Sequence, residues 1–329
     1  MNALPARQIT LGLQSNKTGV EYQMLGALAE DVGFDGVSVF NDLGFQPPLS
    51  ALLEIARVTE HIRLGPACLN PFLLHPVEIA GQIAALDLAS SGRAYLGLTR
   101  GAWLERVGVT GPRPVRALSE AAEITRRLLR GDDTGYTGET FRLAPGMALN
   151  YQPVRPDVDL LFGVWGPRGA EEAKASAGEV KLGGTANPDM VRRMRSWLAG
   201  SGVGIVAGAV TVVDEDRALA RARARSEVAM YLDVVAELDH TVELPADVLT
   251  RLPALLAAGR TEDAGRLVPD DLLDRFCFSG TPDDVAEQAA RVIEAGASRI
   301  EFGTPHGLTD GKGIELLGRK VLPALRRNL

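Results

Sequence analysis

Cysteine is nearly missing from this sequence: Cys68 and Cys277 are the two in 329 residues. That is too few for a disulfide framework, so a reduced, cytoplasmic setting is expected. Histidine is almost as scarce. His61, His75, His240 and His306 stand far apart, and no pair has the spacing that sets two metal ligands on one helical turn, so no metal site is expected. His75, ahead of Pro76, reads as a helix cap or packing residue before it reads as a catalytic one. Basic excess is absent too, with Lys+Arg 35 against Asp+Glu 42, a net charge of −7 and interspersed signs. Nothing resembles the basic stripe that neutralises a phosphate backbone, which argues against nucleic acid as a partner. The longest apolar run, Val203 to Val213, is broken by Gly204 and Gly208 and is too short to span a bilayer. Met1 to Arg7 lacks the charged-then-apolar order of a secretion signal. There is no G-x-S-x-G elbow and neither cysteine has a neighbouring histidine, so hydrolysis by a triad is disfavoured.

What is present is a repeat. Short apolar runs suited to parallel strands occur at Ile9–Leu13, Gly36–Phe40, Ile62–Cys68, Ala94–Leu98, Val158–Val164, Val180–Gly184, Val203–Val212 and Arg299–Phe302, with helical patterns between them. Eight βα units in a chain of this length predict an α/β fold, a closed (β/α)₈ TIM barrel in a single domain, 1–329. Two insertions interrupt it, at about 131–157 and 234–274. The first opens with turn signals and alternating aromatics, Tyr136 and Phe141, and reads as a hairpin. The second is a helical insertion before the last unit, with Pro245 and Pro253 as helix starts. The competing doubly wound sheet would want G-x-G-x-x-G between a strand and a helix, and no segment completes it.

In such a barrel, chemistry sits where the strands end. Those ends carry Gln14-Ser15-Asn16, Asn41-Asp42, Cys68-Leu69-Asn70, and Thr99 through Trp103. The fifth and sixth ends, Gly163-Val164-Trp165-Gly166-Pro167 and Gly183-Gly184-Thr185-Ala186, are rich in glycine and lead into helices. There, backbone N–H groups and the helix dipole suit a phosphorylated cofactor.

Several of these segments carry a family likeness. Ala29 through Asp35, Ile62 through Pro71 with His75-Pro76, Ser91 through Leu98, Gly163 through Pro167, Ala177-Gly178-Glu179 and Gly280 through Asp284 resemble the bacterial-luciferase-like superfamily. Phe302-Gly303-Thr304-Pro305-His306-Gly307, with Gly313 to Pro323, is similar to its coenzyme F420-dependent branch, the methylenetetrahydromethanopterin reductases. The resemblance implies a luciferase-like barrel with F420, or alternatively FMN, at the strand ends. It also implies a non-prolyl cis peptide at Ala67–Cys68, forming a bulge behind the ring. Carried over, Ala67, Cys68, Asn70, Thr99, Gly163, Val164, Trp165, Gly166 and Pro167 would contact the cofactor. Gly183, Gly184, Thr185 and Ala186 would hold its phosphate. For Cys68, the backbone rather than the sulfur is expected to matter.

The departures from the family pattern bear on proton handling. Gln14 replaces a carboxylate, Asn41-Asp42 stands for an Asp-His pair, and Ala102 takes an acidic position. A neutral amide orients but does not protonate. Asp42 is therefore the first candidate for the catalytic acid and Glu105 the second, while Gln14, Asn41 and Trp103 are placed against the substrate. The function expected is an F420-dependent oxidoreductase passing a hydride to or from a small organic molecule. The alternatives are an FMN-dependent monooxygenase and a non-catalytic member of the barrel family. A homodimer formed through helices on one side is expected, with no membrane partner.

Overall fold

The computed structural model describes residues 7–327. Among them, eight parallel strands form one ring: β1 (Gln8–Leu13), β2 (Gly36–Val39), β3 (Arg63–Pro66), β4 (Tyr95–Thr99), β5 (Asp159–Gly163), β6 (Glu179–Gly183), β7 (Gly204–Val213) and β8 (Arg299–Gly307). The remaining gap, between β3 and β4, is bridged at Leu64–Ala94 and Leu69–Leu98. The repeat thus closes as a (β/α)₈ barrel, as the sequence pattern predicts.

Helices α1 (Gly19–Asp31), α2 (Pro48–Ala56), α3 (Pro76–Ala89), α4 (Pro114–Leu129), α5 (Pro167–Ser176), α6 (Pro188–Trp197) and α7 (Arg217–Ala229) follow the first seven strands. Five of them, α2 to α6, begin on proline, whose missing N–H has no partner to lose in a first turn. His75 caps α3, its Nδ1 accepting from Val77 N–H at 3.3 Å, so the capping reading of this residue holds. Outward-facing strand residues such as Leu11, Val37, Leu96 and Ile300 are fully buried against the helices. Each contributes roughly 1.5–3 kcal/mol by leaving water. No helix among the described residues is long and apolar enough to cross a membrane.

The barrel interior is layered by chemistry. At its floor Arg299 pairs with Glu179 at 2.9 Å and stacks over Tyr95, whose ring also lies under Arg63. Above lies a cluster from three non-adjacent strands: Glu301 contacts Lys181 and accepts from Ser38 Oγ at 2.6 Å. Leu161, Val206 and Cys68 fill the rest as a small apolar group.

Both insertions have their own anchors. The first holds a hairpin, Tyr136–Thr137 paired with Arg142–Leu143. Its turn is clamped by the buried carboxylate of Glu120 on α4, which accepts from the N–H groups of Glu139, Thr140 and Phe141 at 2.8–3.0 Å. The second comprises α8 (Leu232–Leu238), α9 (Ala246–Ala257), α10 (Thr261–Gly265) and α11 (Asp270–Phe276), which share a separate core with α7. Pro245 caps α9 as expected, but Pro253 lies inside that helix rather than starting one. A short strand unforeseen in the sequence, Cys277–Gly280, pairs with the far half of β7. It leads into α12 (Pro282–Glu294), and α13 (Asp310–Leu316) follows β8.

Candidate functional site

Around the C-terminal mouth, side chains from one strand end are tied to the next. Gln14 Nε2, after β1, donates to Asp42 Oδ2, after β2, at 3.0 Å. Asn41 Nδ2 donates to the carbonyl of Cys68, beyond β3, at 3.3 Å. The Asn70 side-chain amide donates to the carbonyl of Arg100, after β4, and its Oδ1 accepts from Phe72 N–H at 2.8 Å. Thr99 Oγ1, ending β4, donates to the carbonyl of Gly163, ending β5, at 3.0 Å. The structure therefore brings together Gln14 with Asp42, Asn41 with Cys68, and Thr99 with Gly163. Asn70 is buried and turned to its neighbouring loop, which it clamps through one amide hydrogen and its carbonyl oxygen.

The Ala67–Cys68 peptide is cis, as the resemblance implies. The Cys68 side chain points into the barrel: a Cβ on Gly97 would lie 2.9 Å from its sulfur. Burial pushes this thiol up to about 12, so it stays neutral and unreactive at physiological pH. The backbone of residue 68, held by Asn41, is what the mouth presents.

The glycine-rich ends differ from each other. After β6, Gly184 N–H and Thr185 N–H both donate to the carbonyl of Gly208, at 2.6 and 3.0 Å. Ala186 N–H donates to the carbonyl of Arg275 at 2.9 Å, and Asn187 N–H to Thr185 Oγ1 at 3.1 Å. Gly184 is packed under the insertion: a Cβ there would meet Val235 Cγ1 at 2.6 Å. These are the N–H groups expected from the sequence to face a phosphate. They are engaged by β7 and by the insertion, and Thr185 is fully buried. The end of β5 is the open one. Gly166 caps α5 without a side chain, a Cβ on it would meet nothing within 4 Å, and Pro167 and Arg168 beside it are exposed. The first turn of α5 has no side-chain cap, and a helix start left open in this way suits an anion. Val164 is buried beneath this turn, and Trp165 is half-buried against the main core.

Two predicted residues lie apart from this ring. Glu105 sits on the exposed side of a 3₁₀ turn, Leu104–Val107, and no hydrogen bond joins it to Asp42. Trp103, in the left-handed region at φ 56°, is half-buried with the Arg106 guanidinium 5.4 Å from its ring centroid.

A family model described as luciferase-like monooxygenase matches residues 8–299. The chain belongs to that family. Over 318 residues it is 32% identical to a 5,10-methylenetetrahydromethanopterin reductase of Archaeoglobus fulgidus, covering 91% of this chain and 94% of the relative. The solved structure of the coenzyme F420-dependent tetrahydromethanopterin reductase from Methanopyrus kandleri superposes with a TM-score of 0.88, at 24% identity, over 98% of this chain and all of that one. An F420-dependent secondary alcohol dehydrogenase, solved with an F420–acetone adduct, has a TM-score of 0.78 at 20% identity over the same share of this chain. These two likenesses show that the luciferase-like fold extends over nearly the whole chain.

Within this luciferase-like barrel two further groups escaped the sequence reading. One is the buried Lys181–Glu301 pair. Its signal was a charge in the middle of an apolar strand, Val-Lys-Leu and Ile-Glu-Phe, which in a closed barrel can only face the interior. The other lies where β8 meets β1: His306 Nδ1 is 3.2 Å from Asp310 Oδ1, and Lys17 Nζ is 2.9 Å from Asp310 Oδ2. His306 is fully buried at φ 67°, beyond a register shift in β8. Burial opposes the Asp310 charge, yet the bond and charge of His306 and the ammonium of Lys17 outweigh it and hold its carboxyl down to about 2.

Proposed function

We propose that this chain is an F420-dependent oxidoreductase that transfers a hydride between the deazaflavin and an organic substrate bound over the ring. The observation that carries the reading is the end-to-end likeness to the Archaeoglobus reductase. The donor set at the mouth fits such a cofactor: a braced bulge beyond β3, an open glycine at the β5 end, and an uncapped helix start. When bound, the deazaflavin supplies a hydride-carrying ring carbon, and the protein supplies orientation and electrostatics.

In this reading Ala67 and Cys68 back the ring, and Asn41 braces them through the Cys68 carbonyl. Thr99 and Gly163 border it, and Trp165 walls one side. The phosphate lies against the first turn of α5, near Gly166 and Arg168, instead of the engaged amides after β6. Gln14 and Asp42 face the substrate as one hydrogen-bonded unit, with Asp42 able to accept or return a proton. Asp42 already accepts from an amide, which leaves its second oxygen for a substrate hydroxyl. A second copy of the chain joins through one side of the helical ring, which light scattering at micromolar concentration would register.

Fluorescence titration tests the cofactor assignment. F420 is expected to bind at least about tenfold more tightly than FMN, a difference of about 1.4 kcal/mol. Trp165→Ala is expected to weaken F420 binding by a similar factor, since a stacked ring contributes about 1 kcal/mol beyond its area. Equal or reversed affinities would move the assignment to the FMN-dependent monooxygenase.

A further inference from the structure

Lys181, Glu301 and Ser38 come from β6, β8 and β2, none of them adjacent in the ring, so they meet only across the barrel interior. Both charged side chains are sealed from solvent, at 7% and 1% exposure. Phe40, the residue before Asn41-Asp42, covers them, with Lys181 Nζ 5.1 Å from its ring centroid. Space for the cluster is made by glycines: a Cβ on Gly208 would stand 3.2 Å from Glu301 Oε1 and 3.4 Å from Lys181 Cε. Burial disfavours the ammonium, but contact with Glu301 outweighs that and holds Lys181 above its ordinary value, so the pair is ionic. The pair is also oriented. Lys181 lies in register with Gly163, where a Cβ would stand 3.6 Å from Cys68 Sγ, so the lysine side of the pair is the one that borders the bulge.

A buried ion pair is a poor source of stability, because desolvation offsets most of the attraction between its charges. An oriented one in a dry interior nevertheless sets a fixed field, which water would otherwise screen. We propose that Lys181, held by Glu301, is a positioning residue that sets a positive potential beneath the Ala67–Cys68 bulge and favours the anionic form of a planar cofactor bound there. The inference rests on the F420 assignment above. It adds a role for residues that do not touch the ring.

The ring of F420 carries an ionisable hydroxyl whose loss of a proton shifts its visible absorbance, so the bound cofactor reports the field directly. Protein saturated with F420 is titrated with acid and base, and the absorbance midpoint is compared with that of free F420. In the parent the bound midpoint is expected to lie below the free one. In Lys181→Met/Glu301→Gln, which removes both charges, it is expected to rise by about half a unit, roughly threefold in the ionisation equilibrium. Ser38→Ala keeps both charges and is expected to leave the midpoint in place. If the first double variant does not fold, Lys181→Gln/Glu301→Gln removes the same charges while retaining hydrogen-bonding groups. A parent that binds no F420 overturns the cofactor assignment and this inference together. A charge-free variant that binds F420 with the parent's midpoint overturns the inference alone. So does a Ser38→Ala shift as large as that of the double variant, since packing would then be the cause.

Discussion

Asp42 is tied to Gln14 by a single bond of 3.0 Å, and that pairing has a kinetic consequence. An amide at position 42 keeps the shape and the neighbour but removes the proton-accepting oxygen. Asp42→Asn is expected to lower kcat by about 10²-fold or more while the F420 Kd stays within about twofold, measured by steady-state kinetics and fluorescence titration. An unchanged kcat would mean that the proton comes from water or from the substrate. The two thiols make a second case at this scale. Cys68 and Cys277 are both buried and both pushed up by that burial, so neither forms a thiolate near neutral pH. A chromogenic disulfide reagent is expected to label neither in the folded protein and both after denaturation.

Among the elements, the insertion does more than decorate the barrel. Its helix α8 lays Val235 on Gly184, and the carbonyl of Arg275 at the end of α11 takes the Ala186 N–H. The β6 end is thereby turned from a potential anion cradle into the seat of the insertion. Gly184 stands at φ 94°, a conformation that L side chains rarely adopt, with no space for a methyl group. Gly184→Ala is expected to cost roughly 1–3 kcal/mol of unfolding free energy in urea, from overpacking and backbone strain together. An unaffected midpoint would mean that α8 can lift from the barrel without penalty.

For the whole molecule the notable join is the one between the first and last units. Lys17 and His306 meet on Asp310, linking the loop after β1 to the helix after β8. The Asp310 carboxyl ionises at about 2 in the folded chain against an ordinary 3.8. Its folded value is the lower, so the pairing stabilises fully above pH 3.8 and is lost as the pH falls through 2. The shift corresponds to about 2 kcal/mol. Asp310→Asn is expected to unfold more readily than the parent by that order at pH 7, with the gap closing toward pH 2, as followed by denaturant midpoints across pH. A gap independent of pH would assign the loss to packing.

The order of elements was legible in the chain itself. Apolar runs such as Ile9–Leu13 and Val203–Val212, separated by helical stretches that mix apolar and charged positions, leave a helix after each strand and a parallel sheet as the arrangement that buries both. Family motifs placed the bulge at Ala67–Cys68 and drew attention to the strand ends. Local sequence also encodes caps such as Thr18 with Glu21 on α1, because their partners lie within one turn. The wiring of the mouth was not legible. Ser38 and Glu301 are 263 residues apart, Lys181 and Glu301 120, and nothing but the closure of the ring sets them side by side. Whether a glycine-rich loop offers its N–H groups was likewise undecidable from composition: Gly183 through Ala186 and Gly163 through Pro167 are both glycine-rich strand ends that lead into a helix. Tertiary structure separates them, because the carbonyls of Gly208 and Arg275 and the side chain of Val235 reach the first loop and leave the second open. Period and propensity act over a few residues, whereas the pairing of buried polar groups is settled by which surfaces the closed barrel brings into contact.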